Sequence, residues 1–208
     1  MKKIIIAAVL LVSTLSSAQV SFKPGVKGGF SSSIITGYGA DYRNNFYLGA
    51  FGNLALGKMY NMQFELLYLR QGADNLQVKA FSNDGTNRQI KPTNVPLDYL
   101  SLNLINKFNF DKFNMQIGPG IDFKISENQI PTYPEGTGVY YDNAVYDINT
   151  GVDLTFNIGL GYSITPQLGI EARMRQGILE PIYANVGNYT SGSHLNRSFQ
   201  VGITYMFK

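Results

Sequence analysis

The feature that most constrains this chain is an alternation of apolar and polar residues with a period of two. It recurs in eight segments, roughly Phe22 to Ser32, Phe46 to Leu56, Met62 to Gln71, Leu97 to Phe108, Phe113 to Ile125, Val152 to Tyr162, Leu168 to Gln176 and Arg197 to Phe207. Successive side chains of a strand point to opposite faces, so each segment describes a two-faced ribbon. In the fifth, Phe113, Met115, Ile117, Ile121, Phe123 and Ile125 oppose Asn114, Gln116, Gly118, Gly120, Asp122 and Lys124. The sixth and eighth repeat the scheme, and no later stretch longer than a few residues reads at helical period. Pro119 interrupts the fifth segment; it lacks the ladder donor, so a bulge is expected there.

The connections alternate in length. Short joins, 57–61, 109–112 and 163–167, follow the even segments through the sixth, and long polar ones, 34–45, 72–96, 126–151 and 177–196, follow the odd segments. Bacterial membrane barrels are built this way, with short periplasmic turns and long outer loops, and both termini then fall on the periplasmic side. Most segments are near the 9 to 11 residues of a tilted membrane-crossing strand.

A soluble ligand-carrying barrel also alternates, with its apolar face inward, so the polar face decides. A water-facing surface should be rich in charge. This face is mostly Gly, Asn, Gln, Ser and Thr, and the chain is only 15 % charged, which suits the narrow lumen of an eight-stranded barrel. Closure is compulsory in hydrocarbon, where unpaired backbone groups are costly. Aromatics at segment ends agree: Tyr68 and Phe123 belong at the outer interface, and Phe108, Phe113, Tyr162, Tyr205 and Phe207 at the periplasmic one. The expected fold is all-β, an eight-stranded antiparallel up-and-down transmembrane barrel.

Residues 1–18 have the layout of a secretory signal peptide, with Lys2 and Lys3, an apolar run from Ile4 to Val12, and Ser16-Ser17-Ala18 before a cleavage site. That run is too short to cross a bilayer as a helix. The barrel domain is then 19–208, exported to the cell outer membrane. Without Lys2 and Lys3 the basic residues number 15 against 14 acidic, a formal charge of +1, which gives no case for a nucleic-acid partner. Cysteine is absent, which excludes a disulfide staple and a thiolate metal site.

Gly25-Val26-Lys27-Gly28-Gly29-Phe30, Phe64-Glu65-Leu66-Leu67-Tyr68 running to Gln71-Gly72, Tyr99-Leu100, Ile117-Gly118-Pro119-Gly120 and Asn157-Ile158-Gly159-Leu160-Gly161-Tyr162 stand in an order and spacing that resemble the PorT-like porin family of Bacteroidota. The resemblance covers almost the whole chain after the signal. It implies an eight-stranded outer-membrane barrel, no established biochemical activity for most members, and for one branch a tie to protein secretion. The final segment, with Phe199, Val201, Ile203, Tyr205 and Phe207 on its apolar face, is similar to the aromatic-ended last strand that the outer-membrane insertion machinery recognises, although Lys208 follows the final Phe.

Ionisable residues in membrane segments are expensive and usually paired, so the polar-face charges are the first candidates for a site. Glu65, Lys107 and Glu171 fall in the periplasmic half, with Arg173, Arg175, Asp122, Lys124 and Asp153 higher. They form either an ion-pair network that plugs the barrel or the lining of a narrow passage, and eight strands leave little room for a passage. His194 is the one possible base of a catalytic triad, with Ser191 and Ser193 beside it and Glu180 and Asp147 in other loops; the spacing is uninformative, since adjacent loop residues need not converge, and a solvated loop histidine is expected ahead of an enzyme. Tyr133, Tyr140, Tyr141, Tyr146, Tyr183 and Tyr189 enrich the long loops, as binding to a protein or glycan partner would use, or simply as packing between loops. Asp74, Asn75 and Asn83-Asp84-Gly85, and Asp142-Asn143 with Asp147, lack the spacing of a calcium loop and read as turns. No cofactor or metal is expected. The favoured function is an interaction or structural barrel embedded in outer-membrane lipid, ahead of a narrow porin and, last, a lipid-modifying enzyme.

Overall fold

The computed structural model describes residues 21–36, 39–76, 79–81, 87–89, 93–127, 151–179, 185–186, 189–190 and 195–208. The segment 1–18 lies outside them. Eight long strands, β1 (Ser21–Ile35), β2 (Asp41–Ala55), β3 (Tyr60–Leu76), β4 (Thr93–Phe110), β5 (Phe113–Glu127), β6 (Val152–Ser163), β7 (Leu168–Gly177) and β8 (Asn196–Met206), close into one antiparallel barrel. Each strand pairs with its neighbours in sequence, and β8 pairs with β1. Two short ribbons, 79–81 with 87–89 and 185–186 with 189–190, stand in the outer connections.

Following the pairs round the wall from Phe22 through Leu54, Met62, Asn106, Ile117, Ile158, Met174 and Phe199 returns to Ser32, ten residues further along β1. Eight strands with that stagger tilt by about 40° and enclose a backbone cylinder of radius about 8 Å, which side chains can fill. The same register leaves the periplasmic strand ends nearly level and the outer ends uneven. The β3 and β4 tips stand above that of β7 by about six residues, roughly 15 Å along the axis.

The outer face is a continuous apolar band. Phe64, Leu66, Leu102, Ile117, Phe156, Ile158, Val201 and Ile203 are all exposed, while Gln63, Glu65, Asn103, Gln116, Asn157, Arg173 and Gln200 between them are buried. Rings meet at the periplasmic end, Tyr60 with Phe108, Phe113 with Tyr162 (4.8 Å) and Tyr205 with Phe207, and Phe46 meets Tyr68 toward the outer end. This inverted arrangement, with apolar side chains outside and polar ones inside, suits a chain dissolved in hydrocarbon.

Two expectations needed correction. Pro119 produces no bulge: the β4–β5 ladder skips Leu104 and Ile105 opposite Pro119 and Gly118, then resumes in the same register from Asn103↔Gly120 to Asn106↔Ile117. Pro119 still faces Phe156 on β6, so one missing donor opens a gap without adding a residue. The irregularity of this pair lies higher, between Asp98 and Tyr99. The strands are also longer than a crossing requires, 15 to 18 residues for β1 to β5.

Candidate functional site

Period two delivers the lumen chemistry. On β7, Glu171, Arg173 and Arg175 point inward between outward Ile170, Ala172 and Met174. On β3, Gln63 and Glu65 do the same, and on β5, Gln116 and Asp122. The side chains then meet across the barrel in two tiers.

In the lower tier Arg173 Nη1 donates to Glu65 Oε2 at 2.6 Å and Nη2 to Glu65 Oε1 at 2.9 Å, a two-pronged contact between β7 and β3. Lys27 Nζ joins Glu65 Oε1 at 2.9 Å and also pairs with Glu171. Arg173 lies 3.6 Å from the second oxygen of Glu171, and the Tyr47 hydroxyl donates to the first at 3.3 Å. Gln63 and Asn103 donate to Glu65, and Arg173 donates to Gln116 at 2.6 Å. Lys107 sits below, donating to Gln63 Oε1 at 3.2 Å.

The upper tier is built on Arg175. Its Nη2 reaches both oxygens of Asp122 at 2.7 and 2.8 Å, and its Nη1 donates to Asn103 and Asn157 at 3.0 Å each. Ser101 and Thr155 complete the ring. Asp153 does not join; it accepts the Leu179 backbone N–H at 3.1 Å, tying the start of the last outer connection to β6. Lys124 stands half-buried at the upper end of β5.

Glycines make the space these long side chains occupy. A Cβ on Gly159 would press on the Arg173 stem, one on Gly120 would meet Asn103 and Thr155, and one on Gly202 would strike the Tyr47 hydroxyl. Lys27 and Tyr47, both central to the lower tier, were not among the charges singled out from sequence; the parity of Lys27 with Gly25 and Gly29 on β1 was the available signal.

Above the ion pairs the β1–β4 side of the lumen carries an apolar cluster beside buried Ser33 and Gln71. Ile35, Tyr47, Leu67, Leu69, Ala73, Val95, Leu97 and Tyr99 form one buried cluster. The strands here rise beyond the length needed to cross lipid, and a wall standing clear of the bilayer requires an inward core of its own. The sequence masks this because Leu66, Leu67, Tyr68 and Leu69 are apolar on both faces of β3.

Among the other candidates, Phe199, Val201, Ile203 and Tyr205 occupy the outer face of β8, and Phe207 follows it, its N–H bonded to Pro24. Asp74 pairs with Arg43, and Asn75 bonds Asp41, so both are engaged at the β2–β3 rim. No cluster of metal-ligating residues occurs among the described residues. His194, Ser191, Ser193, Glu180, Asp147, Asp142, Asn143, Asn83, Asp84, Gly85, Tyr133, Tyr140, Tyr141, Tyr146 and Tyr183, and the side chain of Tyr189, lie outside the described residues.

The match to known proteins runs through residues 4–207, over which the chain fits the description "Outer membrane protein beta-barrel domain". The chain belongs to this family. It is an integral β-barrel of the cell outer membrane. Among solved structures, it is similar to Neisserial surface protein A at 13 % identity and TM-score 0.49, covering 90 % of this chain and 99 % of that one. The attachment invasion locus protein Ail of Yersinia pestis matches at 10 % identity and TM-score 0.46, with 89 % and 98 % covered. OprG of Pseudomonas aeruginosa matches at 10 % identity and TM-score 0.44, with 91 % and 98 % covered. No curated protein matches significantly.

Proposed function

We propose that this barrel is a closed scaffold whose work is done by what its extracellular face contacts, with neither conduction nor catalysis as its role. The observation that carries this reading is the Arg173–Glu65 clamp spanning the lumen from β7 to β3, with Lys27 and Glu171 completing the lower tier, the Arg175–Asp122 ring above it and the apolar cluster above that. A cylinder about 8 Å in radius filled in this way has little room for a continuous aqueous path, which supports the closed reading. Its partners are outer-membrane lipid around the apolar band, the insertion machinery at the end of β8, and a protein or glycan at the outer loops. Within the family we place it nearest the PorT-like porins of Bacteroidota, on the ordered Gly-aromatic strings from Gly25 to Tyr162. Crosslinking in cells tests the secretion role one branch of those porins has: capture of secretion components supports it, and capture of none removes it.

A second reading, a narrow passage for small solutes, is favoured by one observation. Ser31 and Ser198 hydroxyls and both amide atoms of Gln200 are buried on the β8–β1 wall without a hydrogen-bond partner, and such a polar seam is suited to holding water. Planar-bilayer recording separates the two: the scaffold gives no steady unitary current, and ohmic openings that vanish when Ser198 and Gln200 are both replaced by Leu would overturn it.

A further inference from the structure

Below the lower ion-pair tier, at the periplasmic end of the lumen, lies a cavity of about 90 Å³ bounded by the β6–β7 turn. Side-chain amides of Asn53, Gln63, Asn114 and Gln116 line it, with Lys107 and Glu171 among the residues around it. The charges nearby do not balance. Lys27, Lys107 and Arg173 supply three positive charges, and Glu65 and Glu171 two negative ones.

Both carboxylates face cations, although Glu171 Oε2 accepts no hydrogen bond. Glu65 takes Arg173 and Lys27, and Glu171 takes Lys27 and the Tyr47 hydroxyl, with Arg173 close by. Lys107 is left over. Among the described residues its one hydrogen bond is to Gln63 Oε1, and no carboxylate lies within ion-pair distance, although an ammonium carries three donors. A cation inside a membrane protein is costly without a counter-charge. The cavity beside it is roomy enough for a small ion with a few waters, since a single water needs only about 10–15 Å³. Gln116 Nε2 bonds Asn114 Oδ1 at 2.9 Å, which turns the Asn114 amide nitrogen free to donate.

We propose that this periplasmic cup binds a small oxyanion of the phosphate class, held by the Lys107 ammonium and by donors from the surrounding amides. The plug above makes it a dead end, so the anion is held there as a ligand and does not pass through. The site depends on the closed lower tier but not on any loop partner, so its failure is distinct from that of the scaffold reading.

The test is a titration of the folded, ¹⁵N-labelled barrel in nanodiscs with inorganic phosphate, against a bulky sulfonate at equal ionic strength. Saturable shifts of the Asn53, Asn114 and Gln116 side-chain amides with phosphate alone are expected. Lys107→Arg should keep the midpoint within a few-fold, and Lys107→Met should weaken it at least tenfold. Retention of the heat-modifiable gel band certifies folding, and Lys107→Gln serves if the Met variant fails to fold. Equal shifts with the sulfonate, or an unchanged midpoint in the folded Met or Gln variant, would overturn the site. A midpoint weaker in phosphatidylcholine discs than in phosphate-free galactolipid discs identifies a lipid headgroup as a competing source of the same group, and equal midpoints identify the free anion.

Discussion

Replacing Glu65 with leucine removes the acceptor on which the lower tier converges. Glu65 receives Lys27 at 2.9 Å, Arg173 at 2.6 and 2.9 Å, and the amides of Gln63 and Asn103. Removing one partner of a buried ion pair costs about 3–5 kcal/mol, because the other charge is stranded. Here two cations lose their acceptor and only Glu171 remains to serve them. The added Leu packing offsets part of that, so Glu65→Leu should destabilise the barrel by about 4 kcal/mol. Arg173→Met should cost less, about 2 kcal/mol, because Lys27 still faces both carboxylates and Lys107 can turn toward them. The double variant leaves Lys27 against Glu171, a balanced pair, and should cost about 1–2 kcal/mol, so the coupling between the two sites exceeds about 3 kcal/mol. The assay is reversible urea unfolding in lipid vesicles, followed by far-ultraviolet circular dichroism and tyrosine emission, since the chain has 14 Tyr and no Trp. If the double variant loses as much as the two singles together, or Glu65→Leu alone loses less than about 1 kcal/mol, the two-tier plug does not hold the barrel together as argued.

Three further outcomes follow. Ile158→Arg, at an exposed position between Ile117 and Met174, should cost about 2–4 kcal/mol in vesicles of normal thickness and less in thinner bilayers, where equal losses would contradict the lipid-facing assignment. Gly202→Val, whose side chain would meet the Tyr47 hydroxyl and the Gly28 carbonyl, should abolish the heat-modifiable band, and a fully folded variant would disprove that close packing at the β1–β8 seam. Phe207→Ala should lower the amount of barrel assembled in cells while leaving spontaneous folding into vesicles unchanged, and equal assembly in cells would remove Phe207 from the recognised strand end.

Most of the fold was legible because membrane strands must write their environment at period two. The eight segments, the short and long joins and the outward face of β5, β6 and β8 all come through, since Phe113 to Ile125 or Val152 to Tyr162 never carries two apolar residues that must face different media. The β3 run fails this test. Leu66 and Tyr68 face lipid while Leu67 and Leu69 face the apolar cluster in the lumen, and periodicity cannot separate two apolar environments. The strand extensions were hidden for the same reason, as Ala73 and Val95 lie within the join 72–96 that reads as polar loop. In the lumen, sequence could place Glu65, Arg173, Arg175 and Asp122 on the inner face, but which acid meets which base depends on the ten-residue stagger. That stagger sets Arg173 against Glu65 and Arg175 against Asp122, and no single strand encodes it. Pro119 was read from its missing donor alone; the continuous pairing with β6 on its other side holds the register that a bulge would have shifted.

The uneven rim gives the barrel wall a stepped outer end. Among the described residues the tips of β3 and β4 carry an apolar filling of their own and stand roughly 15 Å further from the bilayer than the end of β7, so the wall is a tall half joined to a short one. The chain leaving β3 and entering β4 therefore starts from a packed ledge, and the chain leaving β7 starts from a step below it.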